Sequence, residues 1–105
     1  MKYPEKVNIL GVEYKITYVD KPSDVDIYKQ KSLWGQIDYW TRSIRIYDDG
    51  SRPKEDIWET IFHEVIHGID ENLHLKLFDG DEGHDKMDVL ALALTDVLFR
   101  NGWMQ

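Results

Sequence analysis

The stretch that decides the fold spans residues 48–74 and has the sequence DDGSRPKEDIWETIFHEVIHGIDENLH. Its opening, DDGSRP at 48–53, interrupts regular structure, and Pro53 suits the first turn of a helix. Ser51 or Asp49 is available as the cap of that helix. A long helix is therefore predicted to begin at this point of the chain.

The predicted helix is amphipathic and ends at the Asp- and Gly-rich connection LKLFDGDEG, residues 75–83. At 100° per residue, its apolar side chains occupy one broad face at the spacing expected for core packing. These residues are Trp58, Ile61, Phe62, Val65, Ile66, Ile69 and Leu73. The other side carries His63, His67, Asp70 and His74, and is predicted to face away from the core.

The sequence on either side of this helix predicts the rest of an α+β fold. Upstream, alternating apolar residues around Gly11 predict one β-hairpin, and LWGQIDYWTRSIRIYD at 33–48 predicts a second. Downstream, a second helix is predicted to begin near residues 82–85 and to end before Gly102. Its predicted apolar face consists of Met87, Leu90, Ala91, Leu94, Val97 and Leu98. We expect a small antiparallel sheet of two hairpins followed by two main helices.

The composition limits the classes of function. A chain of 105 residues fits a single domain, residues 1–105, and the absence of cysteine removes thiolate ligands and cysteine nucleophiles. A net charge of −7 argues against nucleic-acid binding, which needs a basic surface. No segment has the length of a membrane span, and the amino end does not resemble a signal peptide. These features predict a soluble, cytoplasmic protein.

The sequence HEVIH at 63–67 is the motif with chemical meaning. Two histidines four apart on a helix project in nearly the same direction, which suits two positions of a tetrahedral zinc ion. His63 and His67 are therefore predicted zinc ligands. Glu64 points away from His63 and, in HExxH sites, serves as the general base that takes a proton from water. The pattern predicts Zn²⁺-dependent hydrolysis.

A catalytic zinc ion usually has three protein ligands, so another must come from downstream. Asp70 and Leu73 do not match the metzincin pattern, and His74 is too far along the helix to share the ion. His84, at the start of the second helix, is the favoured third ligand, because neutral imidazole suits zinc. The alternative third ligands are Asp88, Asp85 and Glu82. If His84 is the ligand, Asp88 is expected to orient a zinc-binding side chain through a hydrogen bond. The acidic run Asp79, Asp81 and Glu82 lacks EF-hand spacing and is predicted to be a solvated capping loop.

HEVIHGID, preceded by WGQIDYWTRSIRIYD and followed by VLALALTDVLFRNGW, resembles the small phage and mobile-element proteins related to the ImmA/IrrE metallopeptidases. The resemblance covers about residues 7–103. It implies a zincin-like domain in which His63 and His67 bind zinc, Glu64 is the base, and the next helix supplies the third ligand. That ligand is commonly Glu in the family, where this chain has His84. The resemblance also implies a specific protein target such as a repressor.

A peptide or protein substrate needs a surface beside the zinc ion. The strand at 43–48 is predicted to offer an edge for β-augmentation. Trp34, Tyr39 and Trp40 are predicted to pack in the hairpin rather than to line a substrate groove, and one of three tyrosines is expected to stabilise the oxyanion: Tyr28, Tyr39 or Tyr47. The competing hypothesis is a catalytically silent zinc-binding interaction protein, because a short chain has little room for specificity pockets.

Overall fold

The computed structural model describes residues 3–76 and 80–103, apart from the side chains of 80–82 and 84. Within these residues, four strands precede two long helices: β1 (Lys6–Ile9), β2 (Val12–Val19), β3 (Gly35–Asp38), β4 (Ser43–Tyr47), α1 (Lys54–Leu73) and α2 (Gly80–Arg100). A short 3₁₀ turn, Pro22–Asp24, lies between β2 and β3. The α+β class predicted from the sequence is confirmed.

The four strands form one mixed sheet in the order β1-β2-β4-β3. β1 pairs with β2 and β3 with β4 in antiparallel fashion, and tight connections join each pair. β2 and β4, however, run parallel, with Ile16 opposite Ile44. The prediction of an antiparallel sheet is therefore wrong: the long connection after β2 leads to β3 at the far edge, and the hairpin then brings β4 back beside β2 in the parallel direction.

α1 begins one residue after Pro53, which occupies the cap position without a side-chain cap. Asp49, one of the two predicted caps, instead accepts hydrogen bonds from the backbone N–H and hydroxyl of Ser51. The loop before the helix is thus closed by its own polar side chains. Neither predicted cap residue reaches the helix.

The core forms where α1 packs on one face of the sheet. Its buried residues come from all strands but β3 and from one side of α1: Ile9, Tyr14, Ile16, Ile44, Ile46, Ile57, Trp58 and Ile61. Gly68 lets the helix approach closely, because a Cβ at that position would lie 2.7 Å from Cδ1 of Ile9. The buried side is rotated relative to the predicted one: Ile69 and Leu73 are exposed, whereas Glu64 is buried.

α2 packs mainly against α1 and is covered on one side only. Among the positions of α2 whose burial is described, Gly83, Met87, Ala91 and Thr95 are buried, one per turn. Leu90, Leu94 and Val97, which were predicted to be in the core, are exposed because nothing described lies against their side of the helix. No helix among the described residues is long and apolar enough to cross a bilayer.

Candidate metal centre

His63 and His67 lie one turn apart on α1, and their Nε2 atoms face each other at 3.1 Å. Zinc–nitrogen bonds of about 2.0–2.1 Å at tetrahedral angles put two ligating nitrogens about 3.3–3.4 Å apart. Both side chains are only partly exposed. The pair therefore has the separation that one shared zinc ion requires, to within a few tenths of an ångström.

The other ring nitrogen of His63, Nδ1, contacts a carboxylate on α2. This atom lies 3.0 Å from Oδ1 of Asp88, which is itself more than half exposed. A carboxylate at this position accepts the Nδ1 proton and leaves the Nε2 lone pair of His63 for a metal ion. Asp88 thus occupies the place of an orienting carboxylate, and it links the two helices at the motif.

Glu64 lies on the side of α1 that faces the sheet, and only 6% of it is exposed. Glu64 is absent from the apolar face predicted for α1, but the core-facing side of the helix includes this position. Burial raises the pKa of Glu64 to about 8, although the backbone N–H of Ile37 donates a hydrogen bond to the carboxylate and opposes the shift. The negative charge of Asp88 raises this pKa further. In the metal-free protein this carboxyl therefore holds a proton near neutral pH.

The buried Glu64 still borders the same hollow as the two histidines. The hollow has a volume of about 260 Å³ and lies between α1 and β3, lined by Gly35, Gln36, Ile37, Tyr39, His63, Glu64 and His67. Gly35 makes this arrangement possible, because a Cβ there would lie 2.6 Å from Cγ2 of Thr60 and 3.1 Å from Oε2 of Glu64. The carboxylate, two imidazoles and a strand of backbone thus surround one small space.

The strand beside this hollow is β3, at the end of the sheet. β4, predicted to provide the edge, lies between β2 and β3 with both sides paired, so that prediction is wrong. The reason is the parallel pairing of β4 with β2, which moves β4 into the interior. In the described sheet no strand lies on the outer side of β3, so this edge is the one that an extended peptide could join, although the backbone N–H of Ile37 already donates to Glu64.

Among the three tyrosines considered for the oxyanion, Tyr39 lines the hollow, and its hydroxyl donates to the carbonyl oxygen of His67 at 3.3 Å. The Tyr28 hydroxyl donates to Asp38, and that of Tyr47 donates to Asp49. Neither lines the hollow. Tyr39 is therefore the tyrosine that the fold brings to the motif.

The tryptophans of the second hairpin lie elsewhere. Trp34 packs against Tyr47 and under the guanidinium of Arg52, 4.7 Å from its ring centre. Trp40 is 91% exposed, so the prediction that it packs in the hairpin is wrong. Its place in the turn between β3 and β4 leaves it without a layer to pack against.

The third ligand stays a prediction. Among residues whose side chains are described, no group of three His, Asp or Glu side chains could hold a metal ion. The side chains of His84 and Glu82 lie outside the described residues, as do Asp79 and the side chain of Asp81. Asp85 lines a different hollow, on the outer side of α2. His74 ends α1 as an exposed residue with a left-handed backbone.

The backbone nevertheless restricts where residue 84 lies. α2 contacts α1 so that Asp88 meets His63, and Leu92 and Glu59 line one hollow further along the two helices. Position 84 is one turn before Asp88 on α2, and position 67 is one turn after His63 on α1. If this antiparallel register continues, position 84 lies opposite position 67. The second helix therefore carries a histidine at the level of the motif.

Sequence reasoning missed the support behind β3. Asp26 is buried and accepts hydrogen bonds from the backbone N–H groups of Tyr28, Gln30 and Lys31 and from the amide of Gln36. Gln36, which lines the hollow, accepts in turn from the backbone of Ile27. These bonds lower the pKa of Asp26. An Asp followed by exposed polar residues is a turn signal, but its link to Gln36 has no local signature.

Comparison with protein-family models, with curated proteins and with solved structures finds no match to this chain.

Proposed function

We propose that this protein is a zincin-like, zinc-dependent hydrolase of peptide bonds. The observation that carries the proposal is the meeting of three groups at one hollow: the Nε2 atoms of His63 and His67, and the carboxyl of Glu64. A purely structural zinc site has no use for a carboxyl beside its ligands. The orienting contact from Asp88 to His63 supports the same assignment.

His63, His67 and His84 are the proposed ligands, and the helical register that sets position 84 opposite position 67 supports the third. A zinc ion held by these imidazoles would acidify a water molecule and polarise the scissile carbonyl. Glu64 accepts the proton from that water and passes it to the leaving amine. Its place in the hollow beside both histidines supports this role.

The proposed substrate is a peptide segment in extended conformation, bound along the free edge of β3. Backbone pairing with β3 would bring a scissile carbonyl over the hollow, next to Glu64 and Tyr39. The Tyr39 hydroxyl is proposed to turn from the His67 carbonyl to the developing oxyanion. The resemblance to ImmA/IrrE-related phage proteins suggests a repressor as the target and the cytoplasm as the location. The acidic charge supports a protein target rather than nucleic acid.

The test measures the zinc content of the purified protein and its cleavage of candidate proteins encoded by neighbouring genes. We expect about one zinc per chain, lost in His63→Ala and retained in His74→Asn, which changes a histidine outside the site. Glu64→Gln should keep the zinc ion and lose turnover by a hundred-fold or more, in the rough range of general-base catalysis. Equal turnover in Glu64→Gln and the parent would exclude this mechanism. Zinc binding with no cleavage of any target would favour the silent interaction protein instead.

A further inference from the structure

The side chain of Gln36 leaves β3 on the side away from α1. Successive side chains of a strand point to opposite faces of the sheet. A Cβ on Gly35 would meet Oε2 of Glu64 at 3.1 Å. The Cδ1 atom of Ile37 would likewise lie 3.1 Å from a Cβ on Gly68, so both neighbours of the glutamine face α1. The glutamine itself therefore faces the loop that connects β2 to β3.

Two hydrogen bonds fix the Gln36 side chain to that loop. Its Nε2 donates to Oδ1 of Asp26 at 3.0 Å, and its Oε1 accepts from the backbone N–H of Ile27 at 3.0 Å. An amide offers a donor and an acceptor at once, which an ionised carboxylate cannot. Both ends of the amide are engaged, so the side chain is held in one orientation.

The loop that holds Gln36 is itself anchored. Asp26 is only 4% exposed, and its carboxylate accepts hydrogen bonds from three loop N–H groups, those of Tyr28, Gln30 and Lys31. Arg45, which is opposite Gln36 in the pairing of β3 with β4, donates from Nη2 to the carbonyl oxygen of Asp24 at 2.6 Å. The loop is therefore fixed to β4, an inner strand, and holds β3 through a separate side chain.

β3 needs this support because it lies at the edge of the sheet. Its one neighbour in the described sheet is β4. A strand that is paired on one side only opens more readily than an inner strand. The N–H of Ile37, which donates to the Glu64 carboxyl, belongs to this strand. Whatever fixes β3 therefore also fixes the surroundings of that carboxyl.

We infer that Gln36 is a positioning residue for the proposed base. Held by Asp26, it keeps β3 against α1. The Ile37 N–H and the bare backbone of Gly35 then keep the Glu64 carboxyl beside the two histidines. Gln36 acts through the strand, since its amide is engaged with the loop. This inference rests on the proposed function, because only a hydrolase uses Glu64 as a base.

Reversing the direction of the hydrogen bond tests the link. Gln36→Glu alone sets a carboxylate against Oδ1 of Asp26, where the amide now donates at 3.0 Å, so the link should break. Adding Asp26→Asn supplies a donor again, and the carboxylate introduced at position 36 can still accept from Ile27. The double variant loses the bond from the Tyr28 N–H, so any recovery would not come from a more stable loop.

Hydrogen exchange of the Ile37 amide in the metal-free protein is the first measurement. Gln36→Glu should speed this exchange about ten-fold or more, because the edge strand opens locally, and the double variant should recover most of the protection. Ile16→Val, which shortens a buried side chain on β2, controls for a general loss of stability and should leave the exchange near the parent rate. Gln36→Met removes both hydrogen bonds without adding charge and replaces Gln36→Glu if that variant is unfolded.

Turnover of the zinc-loaded protein is the second measurement. Zinc content should be equal in all variants, whereas turnover should fall about ten-fold or more in Gln36→Glu and recover in the double variant. Faster exchange at Ile37 with unchanged turnover would overturn the inference. An active parent whose Ile37 amide exchanges as it does in the Gln36 variants would overturn the inference alone. A parent that cleaves no target would overturn the proposed function and this inference with it.

Discussion

Asp88 on α2 holds His63 on α1 through a contact of 3.0 Å between its Oδ1 and the Nδ1 of the imidazole. This contact joins the two helices at the level of the HEVIH motif. A carboxylate at this distance favours the His63 tautomer with its proton on Nδ1, which leaves the lone pair on the Nε2 atom that faces His67. The orientation of a proposed zinc ligand thus depends on the packing of α2 as much as on α1.

Asp88→Asn should weaken zinc binding without unfolding the protein. The amide keeps the shape of the side chain but removes the charge that stabilises the Nδ1 proton, so we expect a 10- to 100-fold loss of zinc affinity, as a rough range. Competition with a chromophoric chelator measures it. Asp96→Asn, two turns further along α2, is the control and should bind zinc like the parent. Unchanged affinity in Asp88→Asn would mean that this contact does not orient a ligand.

Gly35→Ala should disturb both the stability of the fold and the position of Glu64. The new Cβ would lie 2.6 Å from Cγ2 of Thr60, so β3 and α1 must move apart, at a cost of about 1–3 kcal/mol in the free energy of unfolding. Chemical denaturation measures this cost. Thr60→Ser removes the clashing methyl group, so the double variant should recover part of the loss relative to Thr60→Ser alone. An unaffected single variant would show that β3 and α1 can separate freely.

The stability of the metal-free protein should fall as the pH rises from about 5 to above 8. Burial raises the folded-state pKa of Glu64 to about 8, above its ordinary value of 4.5. The resulting stabilisation is fully present below the unfolded-state pKa and is lost as the pH rises through the folded-state pKa. Glu64→Gln lacks this dependence. Relative to the variant, the parent should lose stability by up to about 5 kcal/mol across this range.

Thermal unfolding of parent and Glu64→Gln in the presence of a chelator measures the difference at each pH. The comparison cancels the titration of groups that both proteins share. If the melting temperatures of the two proteins shift in parallel between about pH 5 and about pH 9, Glu64 is not buried as described.

Asp26→Asn should loosen the loop that supports β3. The carboxylate accepts four hydrogen bonds, and an amide oxygen cannot replace both of its acceptor atoms. We expect the melting temperature to fall by about 5 °C or more, whereas exposed Asp20→Asn should change little. Because these bonds lower the folded-state pKa of Asp26, its contribution is present above the unfolded-state pKa and is lost as the pH falls through the folded-state value. The melting temperatures of the parent and of Asp26→Asn should therefore converge in acid. A difference that stays constant with pH would show that the ionised carboxylate is not its cause.

Features that depend on neighbours along the chain could be predicted from the amino-acid sequence. The span of α1, the pairing within each hairpin, and the common direction of His63 and His67 follow from turn residues, alternation and the four-residue helical spacing. The HExxH pattern also predicts the proposed chemistry, because one turn of helix is enough to bring the side chains of the motif together.

Which faces of these elements are buried depends instead on how distant parts of the chain pack together. Glu64 faces β3, Leu90 faces outward, and β4 lies inside the sheet because α1, α2 and β2 approach from particular sides. Asp88 meets His63, and Asp26 meets Gln36, across long connections that leave no mark in local periodicity. An amphipathic pattern defines a helix or strand and a preferred face, whereas the packing of distant segments selects which side chains lose contact with water.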